Sequence, residues 1–105
     1  MRAHSNYNKP KKLNAVNQKA YLWLGQVQKA LIALNTLGLE VCEIEFCHVK
    51  PRILVKDCAA CARLEASGRA IEYEFGNGEG GKYRKLQIMA EGIKVIWQTN
   101  RERKH

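Results

Sequence analysis

The sequence predicts an α+β fold: a long N-terminal amphipathic helix packed on an antiparallel sheet of about five strands, with a short helix after strand two. Three observations predict it. Apolar residues recur at three- and four-residue steps through residues 14–37, which keeps one helix face apolar. Segments 39–49, 70–75 and 93–98 instead alternate apolar and polar residues, the period of a half-buried strand. Glycine-rich turns join the last three strands into a meander. At 105 residues the chain holds one domain with one modest core.

Residues 1–12 carry Arg2, Lys9, Lys11 and Lys12 without a hydrophobic period, and Pro10 prevents a clean helix there. A mobile basic arm is expected, followed by a single domain over residues 13–99. Asn14 can cap the long helix by accepting a backbone N–H. Val16, Ala20, Leu24, Val27, Leu31 and Leu34 form its stripe, which Trp23, Ala30 and Leu37 widen. Gly38 can end it in a left-handed conformation, with Leu39 packing back on Leu34. Tyr21, Leu22 and Ile32 fall off the stripe, so a second buried side or a partner is expected, a homodimer being one form.

In the first strand Cys42, Ile44 and Phe46 point one way and Glu43 and Glu45 the other. Pro51 marks a bend or an edge, and Arg52–Lys56 form a short second strand. Asp57 reads as the N-cap of a short helix, Cys58 to about Ser67, which Gly68 closes. In the third strand Ile71, Tyr73 and Phe75 are expected to face inward and Glu72 and Glu74 outward. Gly76 to Gly81 make a hairpin loop by composition, and strand four covers residues 82–90. Glu91-Gly92 is a tight two-residue turn into strand five, where Ile93, Val95 and Trp97 share a face. The expected core sets the Trp23–Leu31 stripe against Ile44, Phe46, Ile71, Tyr73, Phe75, Leu86, Ile88 and Val95.

The formal charge is +8, from 18 Lys and Arg against 10 Asp and Glu, and it is polarised. Residues 1–39 hold six bases and no acid, residues 40–80 five bases and eight acids, and residues 81–105 seven bases and two acids. Basic ends attract a polyanion or an acidic protein face, whereas the acidic middle opposes wrapping by nucleic acid. No run approaches the roughly 18–20 apolar residues of a membrane span. The opening residues show no apolar signal region, so a cytoplasmic, reducing setting is expected.

Lys82, Arg84 and Lys85 are expected to meet an acidic protein surface, and with Tyr83 interleaved they could instead track phosphates or stack a base. Lys9, Lys11 and Lys12 in the arm, and Arg101, Arg103 and Lys104 in the tail of residues 100–105, could support them. The glycines before Lys82 are not a phosphate cradle, because a strand rather than a helix follows them. Cys58 and Cys61 have the two-residue spacing that lets two thiolates share Zn²⁺. Cys47 and His48 could complete the set, but adjacent residues on a strand diverge, and Cys42 reads as a small buried apolar residue. Scattered histidines and solvent-facing carboxylates offer no acid–base pair, so an enzyme is not expected.

The layout resembles small accessory proteins encoded in the early regions of bacteriophages and prophages. The resemblance rests on the compact chain, the basic Asn/Lys-rich start, the long helix, and the segments His48-Val49-Lys50-Pro51-Arg52-Ile53-Leu54-Val55 and Ala90-Glu91-Gly92-Ile93-Lys94-Val95-Ile96-Trp97. It implies a binding role in the cytoplasm, docking on a larger machine of replication, recombination, transcription or defence, and it assigns no residue. The expected function is thus non-enzymatic modulation of a host or phage nucleic-acid machine by protein contact. Direct nucleic-acid binding through Lys82–Lys85, and a zinc-supported structural domain, are the alternatives.

Overall fold

A computed structural model describes residues 12–46 and 50–103. The chain runs α1 (Ala15–Leu37), β1 (Val41–Glu45), β2 (Arg52–Val55), α2 (Ala59–Ala66), β3 (Ile71–Gly78), β4 (Gly81–Ala90) and β5 (Ile93–Thr99). This is the expected α+β order of one long helix, a short helix after strand two, and five strands.

Both expected caps of α1 are present. The Asn14 side chain accepts from the Asn17 N–H at 2.8 Å. Gly38 has φ +82, and Leu39 donates its N–H to the Leu34 carbonyl at 2.9 Å, which satisfies an orphan group of the last turn. The short helix starts one residue later than expected: its N-cap is Cys58, and no side chain caps it. Asp57 turns instead toward Arg101, with Oδ1 2.8 Å from Nη1.

The strands form one sheet in the order β1-β2-β5-β4-β3. It is mixed rather than wholly antiparallel, because β2 runs parallel to β5. The reason lies in the connection. The chain leaves β2, crosses through α2 to the far edge at β3, and returns through β4 and β5. Such a crossover is the length that parallel strands require. The Glu91-Gly92 turn is as expected, with φ of +51 and +77 and Ala90 paired to Ile93.

The glycine loop is shorter than its composition suggested. β3 and β4 stay paired out to Gly78 and Gly81, leaving only Glu79-Gly80 as the turn. Tyr83 stands opposite Gly76 and its ring fills the space a Cβ would take, about 3.0 Å from that position, so the ring covers glycine backbone that would otherwise weaken the ladder.

The core lies between the sheet and the two helices. Val27, Ala30 and Leu34 of α1 and Ala60, Cys61 and Leu64 of α2 pack on Ile53, Val55, Leu86, Ile88, Ile93, Val95 and Trp97. Three core expectations are corrected. Ile71, Tyr73 and Phe75 are exposed, because β3 is the edge strand and Glu72, paired with Leu86, takes the core-side position. A register shift between Glu72 and Glu74 then breaks the alternation. Cys42 is likewise exposed, at a shift between Val41 and Glu43. Leu24 and Phe46 are exposed because α1 outruns the sheet. Gln26 donates to the Glu91 carbonyl at 2.8 Å, which places it at the β4–β5 turn. Residues before it are exposed or at most half-buried.

Candidate functional site

Two grooves on the surface bring candidate residues together. The first lies beside the β3–β4 hairpin, about 510 Å³ in volume. Five residues singled out from the sequence, Lys82, Tyr83, Arg84, Arg101 and Arg103, line it together with Phe75. Strand β4 supplies the first three, and the chain leaving β5 brings the two arginines alongside.

The electrostatics of this groove differ from a free basic strip. Arg84 is directed inward, donating to Glu65 Oε1 at 2.8 Å, to Glu72 Oε1 at 3.3 Å and to the Arg101 carbonyl at 2.8 Å. Arg101 bonds Glu65 and contacts Asp57, and Arg103 forks onto Glu72 while lying 5.3 Å from the Phe75 ring centre. Lys85 reaches Glu74 at 3.4 Å, and Tyr83 donates to the same carboxylate at 3.0 Å. Arg84, Lys85, Arg101 and Arg103 are therefore already paired, and of the groove's cations only Lys82 has no carboxylate partner among the described residues.

Glu65 is the hub. Trp97 Nε1 donates to it at 3.1 Å beside the two arginines. Burial raises the pKa of this carboxyl, but the hydrogen bonds from Trp97, Arg84 and Arg101 outweigh burial and hold it below its ordinary 4.5. Glu72 is also lowered, first by the hydrogen bonds from Arg103 and then, against some burial, by Arg84.

The second groove, about 390 Å³, lies where α1 overshoots the sheet. Val16, Lys19, Trp23 and Leu24 of the helix face Phe46 and Pro51 from the β1–β2 connection. Its wall is apolar and open: Val16 is 78% exposed, Leu24 51% and Phe46 55%. Lys50 stands over the Trp23 ring at 6.0 Å from its centre. No acid occurs in α1, so the cations beside the groove face no opposing charge from that helix.

Sequence reasoning placed Leu24 and Phe46 in the core and so missed this groove. Its signal was the helix length; Tyr21, Leu22 and Ile32, the apolar surplus off the stripe, are exposed but do not line it. A helix of this size spans about 35 Å, whereas a strand the length of β5 spans about 23 Å, and α1 passes the strand ends at the β4–β5 turn.

Cys58 and Cys61 come together, with sulfurs 3.9 Å apart. Cys47 and His48, the other proposed zinc ligands, and Lys9, Lys11 and Lys104 lie outside the described residues. Glu45 pairs with Arg52 at one end of the β1–β2 hairpin, while the Cys58–Cys61 turn follows Val55 at the other end. Among the described residues no three His, Cys, Asp or Glu side chains gather as a metal site. Lys12 is exposed just before α1 and does not line the Lys82 groove.

A family model described as "Uncharacterised protein" matches residues 5–100, which takes in the groove along α1 and all of the hairpin groove except Arg101, Glu102 and Arg103. The chain belongs to this family. An uncharacterized protein of Haemophilus influenzae is similar, 33% identical over 78 residues that make up 73% of this chain and 74% of that one. No solved structure matches. No helix among the described residues is long and apolar enough to cross a membrane.

Proposed function

We propose that this protein is a non-enzymatic accessory factor that acts in the cytoplasm by protein contact, docking the projecting half of α1 on an acidic, apolar segment of a host or phage nucleic-acid machine. The observation that carries this reading is the apolar groove of Val16, Trp23, Leu24, Phe46 and Pro51. Exposed apolar surface that spans two elements favours a partner over solvent. An amphipathic segment fits it by the helix-in-groove mode. Lys19 and Lys50 at its margin, with no acid in α1, favour acidic flanks on that segment. The resemblance in layout to phage accessory proteins points the same way.

Affinity capture from the native source, with identification by mass, tests it. Wild-type protein should hold one dominant partner through a high-salt wash, and Leu24→Glu should lose that partner while Lys82→Ala keeps it. Retention unchanged by Leu24→Glu would overturn the docking reading.

A second reading, direct nucleic-acid binding, is favoured by the convergence of Lys82, Tyr83, Arg84, Arg101 and Arg103 on one groove. It is weakened by the carboxylates that already pair with the three arginines. Oligonucleotide retention that falls steeply with salt and is lost in Lys82→Ala would favour it.

A further inference from the structure

We infer that Cys58 and Cys61 are a modification site, a dithiol that closes reversibly to an intramolecular disulfide on meeting a low-molecular-weight disulfide. The two sulfurs stand 3.9 Å apart across the first turn of α2. The approach follows from their places at the helix start: Cys58 is the N-cap with extended backbone and Cys61 is the third helical residue, the position toward which an N-cap side chain turns.

The two thiols are unequal. Cys58 is half-buried at the N-cap, its side chain makes no cap hydrogen bond, and its sulfur engages Cys61. Cys61 is fully buried among the core residues, with its sulfur 3.5 Å from the Lys56 carbonyl. Burial is the main reason its pKa is pushed up to about 12, so it is the poorer first nucleophile. Cys58 can be reached from outside and Cys61 waits behind it. Cys42 is exposed on β1 and is a candidate for cross-linking between chains instead.

The chemistry balances as two exchanges. Cys58 releases its proton to solvent and its sulfur attacks the small disulfide, whose S–S bond breaks to expel one small thiolate. Cys61 then gives up its proton and attacks Cys58 Sγ, breaking the mixed disulfide and expelling the second. The two protein thiols lose two electrons and two protons, and the small disulfide becomes two small thiols. An S–S bond is about 2.0 Å, so the sulfurs must close by about 2 Å, a movement Cys58 can supply by rotating its side chain.

The test uses the full chain equilibrated with mixtures of oxidised and reduced glutathione, alkylated and digested with trypsin. Cleavage after Lys56 and Arg63 isolates both cysteines in one peptide, Asp57–Arg63, while Cys42 and Cys47 fall in another. The expected result is an Asp57–Arg63 peptide lighter by two hydrogens with neither thiol alkylated, restored to two alkylated thiols by dithiothreitol. Cys61→Ser should stop at a glutathione adduct on Cys58. A wild-type adduct on Cys58 that persists with Cys61 still alkylatable, or two free thiols in excess oxidised glutathione, would overturn the inference. A Cys42→Ser, Cys47→Ser variant gives the same reading by whole-chain mass, and there a disulfide found only between chains would also overturn it.

Discussion

Arg84 on β4 donates to Glu65 on α2 at 2.8 Å, and both side chains are nearly closed off from solvent. That contact joins the outer part of the sheet to the short helix where the apolar core ends at Trp97. The same carboxylate takes Trp97 and Arg101, so the chain after β5 is fastened down as well. The residues that make the hairpin groove basic by composition are, for the most part, the residues that hold the fold together there.

Removing the hub should therefore be costly. Glu65→Ala leaves the largely enclosed Arg84 without its shorter carboxylate contact and strips the Trp97 N–H of its acceptor. Breaking one side of such a pair costs about 3 kcal/mol. Urea denaturation should show that loss as a lower midpoint with an unchanged slope. Arg84→Lys keeps the charge but not the fork to Glu65 and Glu72, and should fall between wild type and Glu65→Ala. A Glu65→Ala change within about 0.5 kcal/mol of wild type, the range of an ordinary surface substitution, would show that the network adds nothing to stability.

The network also fixes the sign of the acid response. The Glu65 and Glu72 carboxyls are both held below their ordinary 4.5 when folded. Stability from a depressed carboxyl is complete above its unfolded value and is lost as pH falls through its folded value. Stability should hold through neutral pH and decline below about 4.5 as the two groups take up protons. Glu65→Gln should start lower and fall less steeply between pH 5 and pH 3, read from denaturation midpoints across that range. A parallel fall in both proteins would exclude Glu65 as a source of the acid sensitivity.

The elements of this fold were legible in the sequence because each rests on a local signal. Asn14 and Gly38 bracket α1, and Glu91-Gly92 turns β4 into β5, as their chemistry requires. The sheet's parallel pair was not, although the short helix between β2 and β3 was its trace: a helix in that connection is how a chain returns to the same direction. Alternation gave β3 its period but not its facing. Ile71, Tyr73 and Phe75 looked like an inner face only under the assumption that every strand is covered, and an edge strand beyond both helices is not. Lys82, Tyr83, Arg84, Arg101 and Arg103 do share a groove, but no sequence pattern foretold that Glu65 and Glu72 would already occupy Arg84. That pairing depends on α2 and β3 meeting β4, a long-range fact.

The two halves of α1 should respond oppositely to the same substitution. Leu34 is fully buried and Leu24 is 51% exposed, ten residues apart on one helix. Leu34→Ala opens a cavity and should cost about 2–5 kcal/mol. Leu24→Ala removes a side chain that the fold scarcely encloses and should change stability by about 0.5 kcal/mol or less. Measuring both by chemical denaturation separates a helix that is core throughout from one with a spare apolar half. Equal losses would mean that Leu24 is covered in solution, by a second copy or by the arm, and sedimentation at two protein concentrations would tell these apart.

Gly76 and Tyr83 provide a last test, at the hairpin groove. The Tyr83 phenol is raised above its ordinary 10.0, chiefly because it donates to Glu74 and must lose that bond when it ionises, with the carboxylate's charge adding to the effect. A Cβ on Gly76 would sit 3.0–3.2 Å from the phenol end of that ring. Gly76 has no left-handed backbone, so alanine is allowed there and the ring must yield, which it can do because it borders an open groove. Gly76→Ala should lengthen the bond to Glu74 and bring the Tyr83 pKa back down toward 10.0, with little effect on the fold. Carbon-labelled tyrosine followed by NMR through the alkaline range reads this directly, and Tyr83→Phe identifies the resonance. A Tyr83 titration identical in wild type and Gly76→Ala would show that the ring does not stand over Gly76 and that another contact keeps the β3–β4 ladder paired to Gly78.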